Sequence, residues 1–260
     1  MATMTDPARE LSEIAQRLTQ SSNAKGVDFL AGQFGVEAWS TEFFRIVTCI
    51  LERADLVADT ISRSTMDEDH QRSAAEDLEG FKSAFTRGAL INNWNNAGSG
   101  LTLVQQHGRP LQYLSPTVRQ VICYPRLSDD EIVELVAHID RYSAELRASE
   151  EELPLVRQGI LDGLALFRFQ LTHIGWLGAG YTLAAFRELM LVFDWANRQQ
   201  PDSDDLNPRA ALSGLLSILK AFKGHVDAAK GWRDTGETIW KAYRLTSSVA
   251  LPFLLPGTGS

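Results

Sequence analysis

The chain has 260 residues, of which 44% are hydrophobic and 22% are charged, and its formal net charge is -8. This composition is typical of a folded globular protein and excludes a disordered or fibrous one. Because an acidic surface repels phosphate, we expect no binding to duplex nucleic acid. Residues 1–11 lack the apolar run of a signal peptide, and the two cysteines form no Cys-x-x-Cys pair. We therefore expect a cytoplasmic protein with reduced thiols.

Helix signals recur along the whole chain. Asp6 followed by Pro7 predicts a helix start, with Asp6 as the cap and Pro7 at the first helical position. Apolar residues then recur every three or four positions over about 36–63, 129–149 and 180–199, which predicts three long amphipathic helices. With the shorter segments between them, the pattern predicts about eight helices and an all-α fold, either a multi-helix bundle or an irregular helical array.

The helix ends carry further signals. Ser128 and Glu131 have the spacing of a capping box, which places the start of the 129–149 helix. Pro154 predicts the start of the following helix, and Pro208 that of a later one. The apolar stripe of the helix over 36–63 begins at Trp39. Such a stripe can pack within one chain or against a second copy.

The least helical stretch is 92–114, where we predict a non-helical loop or a short hairpin. It opens with four asparagines and a tryptophan, followed by Gly98 and Gly100, and these residue types favour turns. We predict an N-terminal helical part over 1–91, this connection, a C-terminal helical part over 115–246 and an extended tail over 247–260. The alternative is one domain overall.

The asparagine-rich loop is the candidate contact site. Trp94 is either a plug over the core or part of a recognition surface. The neighbouring amides of Asn93, Asn95 and Asn96 can donate and accept hydrogen bonds. We therefore predict that Asn93, Trp94, Asn95 and Asn96 form an interaction surface.

Two arginine–histidine pairs have a spacing of interest, Arg168 with His173 and Arg63 with His70. This spacing resembles the Arg-x4-6-His pattern of the helical HEPN ribonucleases. The resemblance implies a metal-independent ribonuclease or toxin in which histidine moves a proton and arginine holds phosphate. The alternative is that Arg168 and His173 are a buried polar pair satisfied by neighbouring residues.

The segment 169–186 carries no formal charge and contains three closely spaced glycines. Its length is near the lower limit for a membrane span, which leaves a membrane-active effector as one interpretation. The polar residues within it and the charges beside it favour two core helices joined by a glycine turn. We expect no stable membrane span.

The sequence contains few other patterns typical of metal-binding or catalytic sites. No histidine forms a His-x-x-x-His pair, and no nucleotide-binding or catalytic motif is present in the sequence. We therefore predict no metal and no cofactor, and we favour a binding function over an enzymatic one. The predicted function is a helical protein–protein interaction subunit, an adaptor or regulator of a larger cytoplasmic assembly, acting through a protein partner or through self-association.

Overall fold

The structure is a computed structural model that describes residues 3–148, 154–198 and 209–227. Within these ranges the chain forms twelve α-helices, one 3₁₀ helix and one two-stranded sheet, so the predicted all-α class is confirmed. The predicted tail over 247–260 and the end of the predicted C-terminal part lie outside the described residues.

The described chain divides into two compact units. The first unit holds Asp6–Cys123, and the second holds Thr3–Thr5 together with the described residues from Tyr124 onward. The division therefore falls after residue 123, and the segment 92–114 lies inside the first unit.

The first unit is a layered array of helices. Helix α1 packs on α3 and on the 3₁₀ helix, while α4 packs between α3 and α6. The predicted cap is present, because the carboxylate of Asp6 accepts a hydrogen bond from the backbone N–H of Arg9 at 3.0 Å. The elements are α1 (Pro7–Arg17), α2 (Gly26–Phe34), α3 (Thr41–Ser62), α4 (Glu68–Ser83), α5 (Arg87–Ile91), α6 (Gly100–His107), the 3₁₀ helix (Pro110–Leu114) and α7 (Ser115–Arg119).

The segment 92–114 contains no hairpin, and this part of the prediction is wrong. Only the stretch up to Ser99 is a loop, because α6 begins at Gly100 and the 3₁₀ helix begins at Pro110. Glycine and proline are tolerated at the first positions of a helix, where the N–H groups have no partner within the helix. Val104, Leu111 and Leu114 are buried at helical spacing, which supplies the packing that stabilises these short elements.

The second unit pairs a small sheet with a group of longer helices. Strand β1 (Thr3–Thr5) pairs antiparallel with β2 (Tyr124–Arg126). Helix α9 packs against α8 and α11, and α12 also packs against α8 and α11. The helices are α8 (Asp129–Ala148), α9 (Pro154–Thr172), α10 (Ile174–Leu177), α11 (Ala179–Arg198) and α12 (Arg209–Asp227).

The helix ends of the second unit follow the sequence signals. The backbone N–H of Ser128 donates to the Glu131 carboxylate at 2.7 Å, and the Glu131 N–H donates to the Ser128 hydroxyl at 3.3 Å. This reciprocal pair is the predicted capping box. The segment 169–186 is interrupted after Thr172 and again at Gly178, whose φ is 93°. In the part of the chain that is described, no helix has both the length and the apolar character needed to cross a membrane.

Candidate functional site

Trp94 is a core residue of the first unit. Its side chain is fully buried, and its ring stacks on Phe29 with the ring centroids 4.7 Å apart. Its backbone N–H donates to the carbonyl of Ala24 at 2.9 Å, and its carbonyl accepts from Leu101 at 3.0 Å. Trp94 is therefore a plug over the core, which is one of the two alternatives predicted for it, and its side chain is not part of the exposed surface.

The asparagines around Trp94 lie at the surface and are held in place by the loop. Asn93, Asn95 and Asn96 are exposed. The hydroxyl of Ser99 lies 2.8 Å from the carbonyl oxygens of Asn93, Trp94 and Asn96. The amide of Asn95 donates to Asn23 at 2.7 Å. The Asn95 amide is thus anchored, and Ser99 holds the backbone that carries Asn93 and Asn96. The role of these three amides in binding stays a prediction.

Arg168 and His173 engage different partners in the second unit. The guanidinium of Arg168 donates through Nε and Nη2 to the two carboxylate oxygens of Asp140, at 2.6 and 3.0 Å. This contact lowers the pKa of Asp140 and raises that of Arg168. His173 instead places Nδ1 3.0 Å from the carbonyl of Phe169, and its ring lies against the Phe169 ring with the centroids 4.3 Å apart and a tilt of 33°. Arg168 is exposed, so the two residues are not the buried polar pair of the alternative reading.

Arg63 and His70 likewise serve local contacts. Nη2 of Arg63 lies 2.7 Å from Asp59, one turn earlier on α3. The His70 ring contacts the carboxylate of Asp67, which caps α4 by accepting from the His70 backbone N–H. That backbone hydrogen bond is the main cause of the lowered pKa of Asp67. Arg63 and His70 thus each make a contact at a helix end, Arg63 at the end of α3 and His70 at the start of α4.

The remaining titratable groups do not gather into a centre. Among the described residues, no three histidine, cysteine or acidic side chains are arranged to hold a metal ion. Glu131 lies against His225, with 3.0 Å between Oε1 and Nδ1. Burial raises the pKa of the Cys49 thiol to about 12, which leaves very little of it as thiolate at neutral pH.

Trp39 and Phe44 are two exposed aromatic side chains at the start of α3, and we call them the aromatic patch. Trp39 is 49% exposed and Phe44 is 47% exposed, and their ring centroids are 5.9 Å apart. Both rings rest on Phe43, which is fully buried, with centroids at 6.3 Å from Trp39 and 5.6 Å from Phe44. The patch is therefore an apolar surface fixed from below by the core.

The backbone of Trp39 is in an unfavourable conformation. Its φ is 63°, and it is the only non-glycine residue with positive φ in the described part of the chain. It is the third residue of a turn closed by the N–H of Ser40 and the carbonyl of Glu37, 3.2 Å apart. Glycine is the usual residue where a turn needs positive φ, because side chains there cost about 1–2 kcal/mol. Residues held in such sparsely populated backbone conformations cluster at functional sites, which makes this turn a candidate.

No protein-family model matches the chain, and neither a curated protein nor a solved structure is significantly similar to it.

The prediction that Trp39 lies on the apolar stripe of a helix over 36–63 is wrong, because Trp39 precedes the helix and is half exposed. The apolar period therefore does not reveal the aromatic patch. The helix begins only at Thr41, with the Ser40 hydroxyl accepting from the Phe43 N–H at 3.1 Å. Gly35 ends α2 in the left-handed conformation, as glycine commonly does after a helix. These two end signals, read together, place Trp39 in the turn between the helices.

Proposed function

We propose that this chain is a protein–protein interaction subunit, an adaptor or regulator of a larger cytoplasmic assembly, and that its partner docks on the aromatic patch. The observation that carries the proposal is the exposure of two adjacent aromatic rings at a turn whose backbone is strained at Trp39. Tryptophan and other aromatic residues supply much of the binding energy at protein interfaces.

Two features of the patch support docking over a purely structural role. The rings are held by Phe43 and by the first turn of α3, so little conformational entropy is lost when a partner covers them. Burial compensates the strain at Trp39 only in part, because about half of the residue faces solvent.

Site-specific photocrosslinking tests this proposal in cells. The chain would carry benzoylphenylalanine at position 44, inside the aromatic patch, and in a matched control at position 113. Tyr113 is an aromatic residue of the same unit and is 68% exposed, but it lies outside the patch. We expect irradiation to give a discrete covalent adduct from position 44 that position 113 does not give. The same adducts from both positions, or none from position 44, would reject the proposal.

A further inference from the structure

One side of α3 continues from the aromatic patch to a pair of carboxylates. Asp55 follows Phe44 by eleven positions, which is about three helical turns and returns to nearly the same direction around the helix. Thr48 and Leu51 lie between them on this side, with Thr48 exposed and Leu51 half-buried. Since the rise is about 1.5 Å per residue, the ring and the carboxylate are about 16 Å apart along the axis.

Asp55 belongs to a charged group that retains a net negative charge. The ammonium of Lys82 lies 2.7 Å from Asp55 and 2.7 Å from Glu79, and both carboxylates are exposed. These hydrogen bonds, first that of Asp55 and then that of Glu79, raise the pKa of Lys82. One cation between two carboxylates leaves one negative charge at this place, which a cation from a partner can balance. We call Asp55 and Glu79 the carboxylate pair.

The charge of the chain decides which occupant suits this surface. A nucleic acid or an anionic bilayer would place negative charge beside carboxylates on a chain of net charge -8. A second copy of the chain carries the same negative charge and so is repelled as well. A polypeptide segment with basic side chains is attracted to the carboxylate pair and supplies an apolar group to the aromatic patch.

We propose that the partner binds along α3 through a segment that places an aromatic or large aliphatic side chain on the aromatic patch and a lysine or arginine at the carboxylate pair. This inference rests on the proposed function and specifies the partner's chemistry. A separation of about 16 Å corresponds to about five residues of extended chain, or to about eleven residues of helix. The anchor and the cation of the segment therefore have one of these two spacings.

A random peptide library displayed on phage tests the inference. The immobilised full chain would select peptides, and the Trp39→Ser/Phe44→Ser variant would remove those that do not need the patch. We expect the surviving peptides to combine an apolar anchor with lysine or arginine at one of the two spacings. Enrichment of neutral or acidic peptides that still need the patch would overturn this inference and leave the proposed function standing. A selection that yields no patch-dependent peptide would count against both.

Affinities of the selected peptide, measured by fluorescence anisotropy, then test the carboxylate pair directly. The Asp55→Asn/Glu79→Gln variant should weaken binding about ten-fold and reduce its salt dependence. The matched control is Glu68→Gln/Glu76→Gln, which removes the same charge from two other exposed carboxylates of α4. Equal weakening by the two double variants would assign the effect to overall charge and overturn the inference. Circular dichroism establishes that each variant is folded.

Discussion

Gly100 lies directly against the Trp94 ring, so replacing it by alanine should lower the free energy of unfolding. A methyl group added to Gly100 would lie 1.9 Å from Cζ3 of the Trp94 ring, 2.2 Å from Cε3 and 2.6 Å from Cη2. Ordinary contact begins at about 3.4 Å, so the ring or the start of α6 must move by about 1.5 Å. The ring is fully buried and stacks on Phe29, so a shift of this size disturbs the packing around it. We therefore expect Gly100→Ala to lower the free energy of unfolding by about 3 kcal/mol, the upper end for overpacking.

The same substitution at Gly32 is the matched control. Gly32 lies in α2, and a methyl group there would meet no heavy atom within 4 Å. Alanine is favoured over glycine inside a helix, so Gly32→Ala should raise the free energy of unfolding by about 0.5–1 kcal/mol. Urea unfolding followed by circular dichroism measures both variants. Equal stability of the two variants would refute the packing argument.

A double-mutant cycle identifies the ring as the cause. The atoms that clash belong to the six-membered ring of Trp94, which leucine lacks. In a Trp94→Leu background, Gly100→Ala should therefore cost less than about 1 kcal/mol, a coupling of about 2 kcal/mol between the positions. Additive costs would contradict the geometry and place the strain in the backbone of α6.

Three further predictions concern buried or paired groups. Asp6 is fully buried and accepts from Ser115 at 2.6 Å as well as capping α1, so Asp6→Ala should lower the free energy of unfolding by about 2–3 kcal/mol in urea, with a smaller loss for Asp6→Asn; equal losses would contradict this. The pKa of Glu131 is lowered from 4.5, chiefly by the Ser128 backbone N–H, so its contribution to stability is complete above pH 4.5 and is lost as the pH falls through the lower folded-state value. The difference in unfolding free energy between wild type and Glu131→Gln should therefore shrink below pH 4.5, and a pH-independent difference would refute the linkage. Cys49, with its pKa raised to about 12, should resist iodoacetamide at pH 8 in the folded chain and react in urea, as mass spectrometry will show; labelling of the folded chain would contradict the buried position.

The long helices could be predicted because each has enough residues for its apolar period to stand out. Helices α8 and α11 begin and end within a residue or two of the predicted 129–149 and 180–199. The cap at Asp6 and the capping box at Glu131 were also predictable, since both are local patterns of side chain and backbone.

The short elements and the surface could not be predicted, since they depend on residues distant in sequence. The burial of Trp94 depends on the contacts of its ring with Phe29 and with Gly100, and the composition of the loop shows neither contact. The exposure of Phe44 depends on which side of α3 the other helices cover, and the Asp55–Lys82 contact joins two helices. A sequence period identifies an apolar stripe but not the members left uncovered at its edge.

The equilibrium affinity of the crosslinked partner, once purified, tests the central claim most directly. Wild type would be compared with Trp39→Ser/Phe44→Ser and with the control Ile91→Ser/Tyr113→Ser, which removes two exposed apolar side chains of the same unit outside the patch. Docking on the aromatic patch predicts that the first variant binds about 30-fold more weakly, equivalent to about 2 kcal/mol, and that the control binds as wild type does. Equal affinities for all three proteins would contradict the claim that the aromatic patch is the docking surface.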